Sequence, residues 1–225
     1  FDGKRGSQIA LPYPIGEELK AKYPDFKAVA MCDWGGKHSL IYGEKKISKM
    51  GHFLGEEGVD MFSLNILKGN KNPLHDPYSI VLTDETAGIL FGAEDPIGKM
   101  LKFDNATNLK VTAVVAKQPK NSALSFDYLI PFHLQEKMYD YVNLYHKTNW
   151  GNNSWQAFVQ LNSNATEKVV DAKVKDVVIS HFTDENTLKS VKPEVFIHPM
   201  SKWRLYNDFE NGKNTGGLIE QVRLF

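Results

Sequence analysis

The chain has 225 residues, 42% of them apolar and 24% charged, enough to bury a substantial core in one large domain or two small ones. Lys plus Arg and Asp plus Glu each total 27, so there is no electrostatic footprint for nucleic acid or an anionic membrane surface, and neither is expected as a partner. No run of 18 apolar residues occurs, and Phe1 opens the polar stretch FDGKRGSQ without an initiator Met or a signal-peptide pattern, so the sequence reads as a piece of something longer.

PYPIGEELKAKYPDF predicts a short helix with Pro14 in its first turn, Ile15, Leu19 and Tyr23 on one face, and Pro24 as its stop. KAVAMCDW reads as a strand, and its Cys32, without a second cysteine for a disulfide or a zinc knuckle, reads as a small buried hydrophobe. HSLIY, KKISKMGHFL and FSLNILKG are further strand-like runs separated by glycine turns. NPLHDP is a proline-bounded loop. Residues 79–83 then form a short apolar strand and 84–91 a two-turn helix, capped by Asp84 and closed by Gly92.

LKF and LKVTAVVA flank the turn signal DNATN. This predicts a hairpin in which Leu109, Val111, Ala113 and Val115 make one buried face. Residues 132–145 read as a helix and SWQAFVQLN as a strand. Asn164 with Glu167 resembles a capping box before a helix running to residue 182, on which Val170, Val174, Val177 and Val178 form a core stripe. PEVFIHPM reads as a final strand, and the remainder has little periodicity. Helices and strands alternating in this way predict an α+β or α/β chain in two lobes, one inserted in the other.

Candidate chemistry is sparse. GAEDPIGK looks at first like a phosphate-binding loop, but five residues instead of four separate Gly92 from Gly98, and Met100 follows Lys99 where Ser or Thr would hold magnesium. The flanking elements are reversed as well, so Lys99 reads as an exposed residue entering a strand. The seven histidines, at positions 38, 52, 75, 133, 146, 181 and 198, form no HxxxH pair that would put zinc on one helix face. Ser122 and Ser125 in NSALSFD lack a nucleophile elbow. DNATN resembles a calcium loop only faintly, with Leu109 where its glycine and Val115 where its glutamate belong. Trp150 and Trp155 are the best candidates for an exposed aromatic platform, although core positions suit them better. No catalytic, cofactor-binding or metal-ligating residue is assigned, and no cofactor is expected.

The run SIVLTDETAGILFGAEDPIGKMLKF, followed by LKVTAVVAKQPKNSALSFDYLIPF, resembles the extracytoplasmic domain of MacB-type ABC transporter permeases, the FtsX-like or mechanotransmission class. FIHPMSKWRLY and GGLIEQVRLF extend the resemblance, which covers most of residues 13–225. It implies a mixed α/β lobe, residues 1–70 and 132–225, with a smaller β-rich lobe, 71–131, inserted in it. It also implies a location outside the cell membrane and, as partners, a cytoplasmic ABC ATPase reached through membrane helices and a second permease copy. A periplasmic adaptor, or a peptide or lipoprotein cargo, completes the list. Export, lipoprotein release or peptide sensing would be the work done, without chemistry in this domain. Phe1 and Phe225 would then lie close together where the chain meets the membrane. The alternative from another class is a freestanding periplasmic binding module with its cleft at Trp150 and Trp155.

Overall fold

A computed structural model of the chain describes residues 6–119, 121–122, 124–184 and 192–223. The expected proximity of Phe1 and Phe225 falls outside these residues. The first half holds β1 (Leu11–Pro12), α1 (Ile15–Lys22), β2 (Phe26–Cys32), β3 (Gly36–Tyr42), β4 (Lys45–Leu54), α2 (Gly58–Met61), β5 (Ile66–Gly69), β6 (Ser79–Thr83), α3 (Asp84–Phe91), β7 (Met100–Phe103) and β8 (Thr107–Val115). Then come β9 (Tyr128–Pro131), α4 (Leu134–Met138), β10 (Asn153–Leu161), α5 (Glu167–Val174), β11 (Asp208–Glu210), β12 (Lys213–Gly216) and α6 (Ile219–Val222). The fold class is α+β, as the sequence predicts.

Ten strands share one sheet, and six of them close on themselves. β4 pairs antiparallel with β3, β3 with β7 and β7 with β8. β8 continues in parallel to β6, β6 pairs antiparallel with β9, and β9 returns in parallel to β4 from Gly51↔Tyr128 to Leu54↔Pro131. β2 meets this ring through a single ladder pair, Cys32↔Leu54, and carries β10 and then β1 on its other side.

Alternation along the ring strands sorts their side chains into two cores. Leu40, Phe53, Leu82, Phe103, Leu109 and Tyr128 belong to one, which also takes in Ile15 and Leu19 of α1, Val170 and Val174 of α5, and Val177 and Val178 just beyond it. Leu54, Val81, Ala113 and Leu129, on the opposite face, pack with Val59 of α2 and with Leu64. Both faces are thus covered, which is why SIVLT is buried at all five positions and shows no alternation.

Several expectations change in detail. β8 does not present one buried face: the register against β6 jumps from Ile80↔Val111 to Val81↔Ala113, leaving Thr112 as the extra residue of a bulge. Leu109, Val111 and Val114 therefore enter the first core while Ala113 and Val115 enter the second. The Thr112 hydroxyl, buried by the bulge, donates to the Pro73 carbonyl at 2.7 Å. Helix α3 has the expected bounds, but Thr83 caps it, accepting from the Thr86 N–H. Asp84 is its first helical residue, and its carboxylate accepts from the N–H groups of Glu85 and Lys117 instead.

The helix expected over 132–145 is only α4, followed by a π-type turn over Val142–His146; Tyr139, Asp140, Tyr141 and Asn143 are poor helix formers. Thr166, not Asn164, is the residue before α5, with no side-chain cap, and the helix ends at Val174 although all four valines of the stripe are buried. PEVFIHPM forms no strand. Its backbone is bound to α5 instead, Val195 N–H donating to the Lys175 carbonyl and Ile197 N–H to the Asp171 carboxylate. The closing segment, unassigned from sequence, holds the β11–β12 hairpin, which turns at Asn211 and Gly212, both with positive φ. Asn-Gly is a strong hairpin signal that the sequence carries in plain view.

Candidate functional site

The glycine-lysine loop is a turn. Lys99 N–H donates to the Pro96 carbonyl, Gly98 N–H to the Val111 carbonyl, and Ile97 N–H to the Asp95 carboxylate. Amides already bonded to protein cannot converge on a phosphate, and the Lys99 ammonium is paired with Glu94. Calorimetry with magnesium and ATP should therefore be flat. Micromolar binding that disappeared in Lys99→Ala would contradict the geometry.

The scattered histidines mostly meet carboxylates: His38 with Asp104, His52 with Asp33, His75 with Glu56, His133 with Glu136 and Glu17, and His181 with Glu18. His146 Nδ1 and His198 Nε2 are buried without a hydrogen-bond partner. The Ser122 hydroxyl donates to the Leu124 carbonyl, and Ser125 is exposed; neither is bonded to a histidine among the described residues. Trp155 belongs to the core, 4% exposed, with its indole N–H donated to Gln135 Oε1 at 3.3 Å. Trp150 is stacked on His181 with ring centroids 3.6 Å apart.

Two histidine-carboxylate pairs flank the turn after β2. His38, stacked on Phe103, faces Asp104 with Nδ1 2.5 Å from Oδ2. Burial works to raise the Asp104 carboxyl, but the bonds from His38 and from the Ser39 N–H hold it below the usual carboxylate range.

The other pair contains the residues that sequence reasoning missed. The strand pairing that joins Cys32 to Leu54 carries Cys32 and Asp33 up to His52, two residues earlier on β4. His52 Nδ1 lies 3.2 Å from Asp33 Oδ1 and 3.8 Å from Cys32 Sγ. Asp33 Oδ1 also accepts from the Phe53 N–H at 3.0 Å, and the Asp33 carbonyl accepts from Gln156 Nε2. Desolvation pushes the Cys32 thiol well up, as its expected burial implies. No local spacing advertises this cluster, because it depends on one non-local ladder pair. Among the described residues it is the group of His, Cys, Asp and Glu whose geometry would suit a metal ion.

Two shallow grooves of about 430 Å³ lie elsewhere. One runs along Asn70, Lys71, Asn72 and Pro73 and the other along Asn207–Glu210. Neither touches the clusters just described.

No family model matches the chain, and no curated protein shows significant similarity to it. Solved structures do. A domain of a putative permease protein from Porphyromonas gingivalis superimposes with a TM-score of 0.65 at 18% identity, over 79% of this chain and 81% of that one. The chain shares its fold with that permease domain. The periplasmic region of MacB from Actinobacillus actinomycetemcomitans has the same permease-type fold, with a TM-score of 0.61 at 16% identity over 86% and 82% of the two chains. So has the extracellular domain of the noncanonic ABC-type transporter YknZ from Gram-positive bacteria, at 0.57, 15%, 85% and 91%. Within this permease-type fold no helix of the described residues is long and apolar enough to cross a membrane.

Proposed function

We propose that the chain is the extracytoplasmic domain of an ABC permease of the mechanotransmission class. In this reading it transmits movement driven by a cytoplasmic ATPase to export, lipoprotein release or peptide sensing outside the membrane. The observation that carries it is the fold likeness to a putative permease domain, the periplasmic region of MacB and the extracellular domain of YknZ, over about four-fifths of the chain or more. Its partners would be the ATPase, reached through membrane helices, a second permease copy, and an adaptor or a peptide or lipoprotein cargo. The domain itself would do no chemistry.

The two-lobed division is part of the proposal, with one adjustment. The pairing of β3 and β4 with strands between residues 79 and 131 supports counting the hairpin 36–54 with the inserted β-rich lobe of that division. A lever needs a body that does not absorb the displacement, and close packing on both faces of the ring supplies that stiffness. The burial of Trp155 counts against the rival, a freestanding binding module with its cleft at Trp150 and Trp155.

In the whole transporter, a disulfide engineered between the outer domains of two copies should stop export or release while nucleotide binding survives. Ser122→Ala and Ser125→Ala should leave activity within a few fold. Full activity with the outer domains locked together would sink the lever, and loss of activity in a well-folded serine variant would reopen an enzymatic reading.

A further inference from the structure

Thiol, carboxylate and imidazole are three different metal-ligand chemistries, and here they arrive at one spot from two strands. The donor atoms of Cys32, Asp33 and His52 all lie within 4.8 Å of one another. With Nδ1 3.2 Å from Oδ1 and 3.8 Å from Sγ, the triangle they form has its centre about 2.0 to 2.4 Å from each donor, the length of zinc bonds to nitrogen, oxygen and sulfur. Accessibility is graded: Cys32 is fully buried, while the side chains of His52 and Asp33 are 12% and 19% exposed. An ion could enter from that side and keep a position open to water.

The same geometry argues against a nucleophilic triad. In such a triad the carboxylate and the thiol address opposite ring nitrogens, so that the imidazole passes a proton between them. Here both face Nδ1 from one side, as ligands around a shared ion do. A supporting shell is present. The Phe53 N–H fixes the Asp33 carboxylate, Gln156 fixes its carbonyl, and Gly35, at φ +76°, lies so close to the His52 ring that a side chain there would strike it.

We propose that Cys32, Asp33 and His52 form a binding site for a zinc-type divalent cation, with water completing a tetrahedron. A thiolate and an imidazole in the donor set favour zinc over magnesium or calcium, which take oxygen ligands. The ion would bridge β2 and β4 where their backbones share a single ladder pair, fastening the ring to the β1–β10–β2 part of the sheet. This assignment does not depend on the permease reading.

The test is titration of the reduced chain with zinc by calorimetry and with cobalt by absorption spectroscopy. One zinc per chain is expected, along with tetrahedral cobalt bands and a thiolate-to-cobalt charge-transfer band. Cys32→Ser should abolish that band. His52→Gln should weaken zinc binding by roughly tenfold or more without changing the circular dichroism of the fold. His75→Gln, whose imidazole lies against Glu56 at the surface, should change neither. No binding at micromolar metal, cobalt bound without the thiolate band, or unaltered zinc affinity in His52→Gln would each overturn the proposal. Should Cys32→Ser fail to fold, the native cobalt spectrum and the His52→Gln affinity still decide it.

Discussion

Phe103→Ala should cost the chain about 3–5 kcal/mol of stability, the loss that follows when an aromatic is removed from a packed interior. Phe103 has no exposure. Its ring lies 4.6 Å from His38, 5.7 Å from Tyr128 and 6.3 Å from Phe53, measured between centroids, so truncation leaves a void that rings fixed on three other strands cannot refill. Urea unfolding would measure the loss as a lower midpoint at unchanged slope. Met100 is the control, since it sits on the same strand, faces out and is 51% exposed; Met100→Ala should stay within about 0.5 kcal/mol. A Phe103→Ala loss as small as the control's would mean that the ring interior is not packed.

Gly51→Val should be strongly damaging because it adds atoms where there is no room for them. A Cβ at this position would lie 2.4 Å from Cε2 and Cζ of Tyr128, its partner in the parallel pairing that closes the ring. Tyr128 cannot retreat: it is 1% exposed and its hydroxyl donates to the Gly36 carbonyl at 3.2 Å. Overpacking of this kind costs about 1–3 kcal/mol, and here either β9 must shift away from β4 or the tyrosine must leave the interior. Gly88, in α3 with open space around it, gives the contrast, as Gly88→Ala should raise stability by up to about 1 kcal/mol. Combining Gly51→Ala with Tyr128→Leu should recover part of the loss, and strict additivity in that double-mutant cycle would refute the steric account.

What the sequence revealed was local. The bounds of β4, β6 and α3 follow from apolar runs punctuated by glycine, proline and a capping residue, all of which act within a few positions. The bulge at Thr112 was hidden because every residue from Val111 to Val115 except the threonine is apolar or small, so no alternation marks which way each one points. Residues 192–199 have strand-forming composition, but their hydrogen bonds go to Lys175 and Asp171, a long-range preference that no propensity records. The α+β class came from the alternation of helix-like and strand-like runs along the chain, and the likeness to permease domains chiefly from the order of motifs over residues 79–131. The Cys32, Asp33 and His52 cluster could not come from any motif, since it arises from one pairing between β2 and β4, which β3 separates in sequence.

A closed ring has a consequence for chains kept at close quarters. Exposed sheet edges invite neighbouring molecules to add strands, and the six ring strands have spent theirs on one another. Outside the ring, the outermost strand β1 is two residues long and ends in Pro12, whose nitrogen carries no hydrogen to donate. β5 is four residues long, with a lysine and a positive-φ glycine at its end. Neither offers a template of useful length. Two such bodies could be pressed together repeatedly at high local concentration and still separate, because the ring itself offers no free edge at which to zip into a common sheet.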